Sequence, residues 1–420
     1  MKVILSVIAL ITVVAAGIVY SYDPLFWSRY GGLLKSQLLQ QPRGLWYSPL
    51  ETVAGGEGSP LRYWSQQNLQ IPAAALDNAE HYVAARRTSS FIVWHNGAVA
   101  RERYFDGYDS DTLIVSKSMA KPLASMLMAR ALEQGYFTSL DQPAADFITE
   151  WQGTEKEAIT LRHILNMSSG LWRFYRDTLN PFSYFHRGFL SSRHEDIAIN
   201  KLPLQDVPGS YYDYSQLTSD IIAILIERAT GRRYAHYLST QLLQPIGAAG
   251  GKVWINREAG LAHSGCCILL PARTWLRLGI LLVQNGVWEG QRLLPDTWNA
   301  DILSGSATHS NYALNFWLGS PYQQRRYFIN PQHLTTPGVW QSEPYAADDL
   351  FMFDGNGSQV VYIVPSRRLV IVRTGQWPGR GADGREWDNT FLPNSIIRAL
   401  DNSAGGHHRA APKSTEGSDA

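Results

Sequence analysis

Cysteine is nearly absent from this sequence: its two copies, Cys266 and Cys267, are neighbours. Adjacent cysteines rarely bridge because the geometry is strained, so they read as packing residues in a fold that needs no disulfide. There is no Cys-x-x-Cys pair and no His/Cys cluster at metal-ligand spacing, and neither a metal nor any other cofactor is expected. The pair His407-His408 sits in a Gly-, Ser- and Ala-rich tail and reads as solvated. Charge imbalance is lacking too. A formal net charge of +1 gives no field to recruit nucleic acid or an acidic substrate. Lysine is scarce beside arginine, with eight copies in 420 residues, which makes a lysine in an unusual setting informative. No internal repeat occurs.

Long apolar runs are also missing, with one exception. After Met1-Lys2, the stretch from Val3 to Tyr20 carries no charge and is long enough to cross a bilayer. A signal peptide has a shorter apolar region and a small-residue cleavage site. Ala15-Ala16-Gly17 offers such a site, but Ile-Val-Tyr continues the run past it. The favoured reading of residues 1–21 is an uncleaved signal anchor with Lys2 inside. That places the chain in a bacterial inner membrane with its bulk in the periplasm. The alternative is cleavage and release into the periplasm.

Residues 22–74 mix aromatics with Gly, Pro and Gln and show no sustained period, so they read as a tether. The stretch FIVWHNGAVARERYF, 91–105, is a hairpin around Asn96-Gly97, the strongest two-residue turn signal. From Ser118 the pattern turns helical, with Met119, Leu123, Met126, Leu127, Ala131 and Leu132 on one face and Gly135 at the end. The region from about 140 to 300 is mainly helical. LTSDIIAILIERAT, 217–230, ends at Gly231, and RTWLRLGILLVQNG, 273–286, is a further helix. SQVVYIV, 358–364, and RLVIVRTG, 368–375, form a second hairpin, TFLPNSIIRAL, 390–400, a last helix, and 402–420 a disordered tail. The expected class is α+β, one domain over 75–401: an antiparallel sheet flanked by helices, with an inserted, mainly helical lobe.

Within IVSKSMAK, 114–121, Ser118 and Lys121 lie three apart, which on a helix puts hydroxyl and amine on one face. Ser116 has Met119 at that offset. Such a pair arises by chance in a chain this long, and on the motif alone a capping serine beside a solvated lysine is the favoured reading. Two further pieces line up behind it. Tyr214-Ser215-Gln216 immediately precedes the helix that begins at Leu217, and Phe353-Asp354-Gly355-Asn356-Gly357-Ser358-Gln359 leads into a strand. With ITLRHILNMSSGL (159–171), PGSYYDYSQL (208–217) and GILLVQNGVWEGQRLLPDTW (279–298), the chain resembles the serine β-lactamase and penicillin-binding protein superfamily. Its class C-like branch of esterases, D-amino-acid peptidases and 6-aminohexanoate-dimer hydrolases is the nearest in pattern.

The resemblance implies a β-lactamase/transpeptidase-like fold and a serine hydrolase acting through a covalent acyl-enzyme on a small ester or amide. Ser118 is then the nucleophile. A serine hydroxyl needs a base within hydrogen-bond reach. Lys121 serves only if burial or charge lowers its proton affinity, and Tyr214 only as a phenolate; either carries the proton. The family pattern places the oxyanion between the backbone N–H groups of Ser118 and Asn356.

Three departures bear on substrate. The family's Tyr-x-Asn ends in Gln216, one methylene longer. The basic residue of the third motif, which helps hold a substrate carboxylate in β-lactam-processing members, is Phe353, followed by Asp354 and Gly355. Pro122 removes a helical N–H, tolerable only in the first turn. Small esters or neutral amides are therefore expected over β-lactams. Trp172 and Tyr175 are further candidates for substrate contact, with ordinary packing an equal explanation. No Gly-x-Ser-x-Gly pentapeptide of an α/β-hydrolase is present. The rival reading is a catalytically weak or inactive cell-wall- or peptide-binding relative.

Overall fold

Apolar runs without alternation mark strands covered on both faces, and two of them, 358–364 and 368–375, lie at the centre of the main sheet. The structure is a computed structural model that describes residues 17, 20–39, 46–172, 180–328, 338–381 and 384–407. Along the chain, helix α1 (Pro24–Leu38) and strand β1 (Leu50–Val53) precede helix α2 (Ala73–Ala84). The hairpin β2 (Thr88–His95) and β3 (Ala98–Tyr104) follows, then β4 (Ile114–Val115) and helix α3 (Ala120–Glu133). The middle contributes helix α4 (Gln216–Thr230), strands β5 (Gly251–Trp254) and β6 (Ile268–Leu270), and helix α5 (Ala272–Val283). Short strands β7 (Tyr312–Ala313), β8 (Phe316–Leu318), β9 (Arg325–Arg326) and β10 (Val339–Trp340) come next. Strands β11 (Phe351–Gly355), β12 (Gln359–Val364) and β13 (Leu369–Gly375) lead to helix α6 (Phe391–His407).

The main sheet is antiparallel throughout, in the order β3-β2-β13-β12-β11-β8-β7. Its period-two alternation sorts side chains onto two cores. Ile92, Val361, Ile363, Val370 and Val372 face α3 and α5. Phe91, Val93, Val360, Tyr362 and Ile371 face α2 and α6. Helix α5 runs very close to the sheet at Gly279, where a Cβ would meet Val370 Cγ1 at 2.6 Å. The β2–β3 turn has Asn96 and Gly97 both at positive φ, 47° and 102°, as the right-handed strand twist requires. A second sheet, β1-β5-β6-β4, joins strands far apart in sequence. The mainly helical region from 140 to 300 thus also supplies two strands of this sheet.

Three expectations are corrected. Residues 22–74 are no tether: α1, β1 and α2 pack into the molecule. Phe26 and Tyr47 are buried with Leu190, Trp254 and Leu269, and Tyr47 stacks on Trp254 with ring centres 4.2 Å apart. Buried Arg29 donates to the carbonyls of Ser48, Leu190, Ile255 and Asn256. The aromatics that showed no period serve partners about 200 residues away, which no local period records. Cys266 and Cys267 are joined as a vicinal disulfide. The backbone turns sharply there, with Cys267 at φ 72°, and this brings the neighbouring sulfurs together. Helix α6 also extends through 402–407, residues expected in the tail. The apolar run from Val3 to Tyr20 lies outside the described residues except for Gly17 and Tyr20, as does Tyr175. No helix among the described residues is long and apolar enough to cross a membrane.

Candidate active site

Strand β4 is followed by Ser116, which is fully buried and holds the chain to β6. Its N–H donates to Ile268 O at 2.9 Å, its hydroxyl accepts from Ile268 N at 3.2 Å and donates to Lys117 O at 2.9 Å. Ser116 is therefore occupied by structure. Lys117 then takes φ 51°, a turn that β-strand and helix both exclude, and a single 3-10 turn over Lys117–Met119 leads into α3. Ser118 stands on this turn and opens onto a cavity. Pro122 lies in the first turn of α3, where its missing N–H costs nothing. Strand β11 passes directly beside the turn. A Cβ at Gly355 would sit 2.6 Å from Ser116 O and 3.2 Å from Met119 N, so only glycine lets the strand this close.

Lys121 lies one turn along and is buried. Its ammonium donates to Ser118 Oγ at 3.2 Å, to Gln216 Oε1 at 3.0 Å and to Gly265 O at 2.7 Å. Burial pulls its pKa down to about 7, with the Asp220 charge opposing. Tyr214 precedes α4, whose N-terminus is capped by the Ser215 hydroxyl accepting from Thr218 N. Its ring lies 4.7 Å from Lys121 Nζ, and its phenol hydrogen-bonds to Ser118. Burial pushes that phenol well above its ordinary value, and the Ser118 hydrogen bond and the Arg326 charge only partly offset it. The longer Gln216 thus reaches Lys121, as the extra methylene allows.

The third motif divides. Phe353 faces away from the cavity, edge-on to Trp275 and Phe316 in the core. This corrects its assignment as a substrate contact: successive residues of a strand point to opposite faces, and Asp354 takes the cavity side. Asp354, Gly355 and Asn356 line the cavity with Ser118 and Tyr214. Asp354 does not meet the cavity as a lone charge, because buried Arg326 from β9 forms an ion pair with it. The Arg326 guanidinium also lies over the Trp317 and Phe328 rings, 4.3 and 5.3 Å from their centres.

The cavity has a volume of about 470 Å³ and an aromatic and aliphatic wall from Phe328, Val339 and Trp377. A trough of about 200 Å³ shares Val339, Ser358 and Trp377 with it and continues past Trp340 and Trp387 to Arg380 and Glu386. Arg326 and this trough carry no motif, and the sequence offered no signal for either. A third omission had one. Asp220 is four residues after Gln216, on the same face of α4, and its Oδ1 accepts from Gln216 Nε2 at 3.2 Å. Its Oδ2 pairs with His263 Nδ1 at 3.1 Å. His194, Asp220 and His263 bring ligand-type atoms within 4.8 Å of one another. The two imidazoles, however, stack face to face at 4.2 Å and 17°, so the two ring planes, in which the lone pairs are directed, do not meet within metal-bonding distance of both rings. That is a poor metal cradle. Trp172 is half-buried and outside the cavity wall.

Comparison with known proteins fits this geometry. The Beta-lactamase family model matches residues 76–392. The chain belongs to the β-lactamase family. The 6-aminohexanoate-dimer hydrolase of Paenarthrobacter ureafaciens is 22% identical over 348 residues, covering 79% of this chain and 84% of that one. Esterase EstB of Burkholderia gladioli is 29% identical over 151 residues, covering 33% of this chain and 37% of the esterase. A Bacillus anthracis protein, itself a presumed 6-aminohexanoate-dimer hydrolase, superposes with a TM-score of 0.62 at 19% identity, over 86% of this chain and 92% of that one. The fold is that of the β-lactamase/transpeptidase family, and the chain is a serine hydrolase of that family.

Proposed function

We propose that the protein hydrolyses a small ester or a neutral amide through a covalent acyl-enzyme on Ser118, with Lys121 as general base. The observation that carries this reading is the buried Lys121 ammonium 3.2 Å from Ser118 Oγ, with a pKa drawn down to about 7. Near neutral pH a sizeable fraction of such lysine is free amine and can accept a proton. The Tyr214 phenol, pushed the other way by burial, keeps its proton and acts as a donor. That favours Lys121 over Tyr214 as the base.

Ser118 Oγ attacks the carbonyl carbon as its proton passes to Lys121 Nζ. The carbonyl oxygen takes the negative charge and is held by the N–H groups of Ser118 and Asn356. The intermediate collapses, the C–O or C–N bond to the leaving group breaks, and the proton returns from Lys121 through the Tyr214 hydroxyl to the departing atom. Water then attacks the acyl carbon, giving its proton to Lys121, and as the C–Oγ bond breaks Lys121 passes that proton to Ser118 Oγ, releasing the acid and restoring both groups.

Two features support a neutral substrate. Phe353 is turned into the core, and the charge of buried Arg326 is offset by Asp354, which Nη2 bonds while Nε and Nη1 have no hydrogen-bond partner among the described residues. A substrate carboxylate would therefore meet a neutralised pair with a carboxylate already in it, not a lone cation. The cavity wall and the adjoining trough are rich in tryptophan, which suits an uncharged, extended acyl or leaving group. A missing charge-assisted contact to a carboxylate is worth about 1.5–3 kcal/mol, or roughly one to two decades in rate. kcat/KM for p-nitrophenyl butyrate should therefore exceed that for nitrocefin by at least about tenfold. Faster turnover of nitrocefin would show that the Arg326–Asp354 pair does not set specificity.

A further inference from the structure

Behind Lys121 lies a chain of buried polar groups that the proposed reaction leaves unused. Both carbonyl-type acceptors of the lysine, Gln216 Oε1 and Gly265 O, belong to residues whose N–H groups point back to one oxygen. Asp220 Oδ1 accepts from Gln216 Nε2 at 3.2 Å and from Gly265 N at 2.9 Å. Asp220 Oδ2 meets His263 Nδ1 at 3.1 Å, and His263 Nε2 meets the Tyr47 hydroxyl at 2.7 Å. Asp220 and His263 are fully buried, and His194 stacks on the outer face of His263. Tyr47 is held in turn by the Trp254 stack and by the Arg29 guanidinium 4.2 Å from its ring centre.

We propose that Asp220 is a positioning residue for Lys121: one buried carboxylate fixes both of the lysine's other acceptors, and His263 and Tyr47 fix the carboxylate. The inference rests on Lys121 acting on Ser118 as above. A carboxylate inside α4 has no value for packing, since burying its charge costs stability that an apolar residue would not. Its three donors leave it no freedom to turn. The close fit extends to the backbone. A Cβ at Gly265 would lie 2.3 Å from Ser219 Cβ and 2.8 Å from Gln216 Nε2, so only glycine lets its loop reach both partners.

The carboxylate also supplies charge. Asp220 lies behind the lysine, Tyr214 in front of it, Lys117 on the preceding turn, and the Arg326–Asp354 pair beyond Tyr214. Around Asp220 stand His263, Tyr47, Tyr234 and, through His263, His194. Of these, Asp220 is the group that raises the lysine's proton affinity against burial. Neutralising it must lower the pH at which Lys121 becomes free amine. The reactive form then persists to more acidic pH.

The test is Asp220→Asn, which keeps an acceptor for Gln216 and Gly265 and removes the charge. Asp220→Ser is a second neutral variant should Asp220→Asn misfold, and thermal unfolding checks both. The readout is the second-order rate of Ser118 labelling by a fluorophosphonate from pH 5 to 9. With a midpoint near 7, wild-type labelling at pH 6 should be about tenfold below its plateau. In the neutral variants the midpoint should fall by about one unit and the deficit at pH 6 shrink to about twofold. A lower melting temperature with an unmoved midpoint would mean a merely structural role and would overturn the proposal. ¹³C-lysine NMR titration reads Lys121 directly among the eight lysines. Should wild-type Ser118 fail to label at any pH, the hydrolytic reading fails, while the NMR midpoints still decide the role of Asp220.

Discussion

An ordinary lysine holds its proton up to a pH near 10.5, whereas folded Lys121 releases it near 7. Between those values the unfolded chain binds the extra proton, so folding stability rises with pH by about 1.4 kcal/mol per unit. The penalty is complete below pH 7 and gone above about 10.5. Lys121→Met removes it, leaving Gln216 Oε1 and Gly265 O without their donor. The melting temperature of the variant relative to wild type should be clearly higher at pH 7 than at pH 10. A difference that does not vary with pH would contradict a depressed lysine. At this scale the sequence exposed Ser118, Lys121 and Tyr214, because their spacing and their places at helix starts are local. Asp220 and Arg326 were hidden, because an acidic or basic letter does not reveal whether its side chain points inward. Phe353 was misjudged since a motif position says nothing of which strand face carries it.

Among the elements, the strands and helices with their own pattern were legible: the Asn96-Gly97 hairpin, α4 with its Gly231 stop, α5, and the two unalternating strands β12 and β13. Strands β7 to β10 were not, since two or three residues carry no period. Yet β9 delivers Arg326, and β10 delivers Val339 and Trp340, to the cavity region. Trp377, after β13, is 50% exposed, and it links the cavity to the trough. A chain covering about 40–80 Å² of that indole gains about 1–2 kcal/mol. Trp377→Ala should therefore lower the ratio of kcat/KM for p-nitrophenyl octanoate over acetate by about fivefold to thirtyfold. Equal losses on both esters would mean that the trough does not hold the substrate.

For the molecule as a whole, the site forms where three separately built parts meet. The small sheet presents Ser116 and the turn that carries Ser118, the main sheet brings Gly355 and Asn356 alongside, and the start of α4 supplies Gln216, with Tyr214 just before it, from the helical region. The α+β class and the main antiparallel sheet could be read from the chain. The role of residues 22–74 could not, because Arg29 and Tyr47 are satisfied only by distant backbone and rings. That segment reaches the reaction centre through Tyr47, His263 and Asp220. The proposed reaction requires a carbonyl carbon to become bonded to Ser118 Oγ. Intact-mass measurement after rapid acid quenching of the protein with a slowly deacylated p-nitrophenyl ester tests it directly. One acyl group should add to the protein, map to the peptide bearing Ser118, persist in Ser116→Ala and vanish in Ser118→Ala. An adduct on Ser116, or equal acylation of the Ser118→Ala protein, would contradict it.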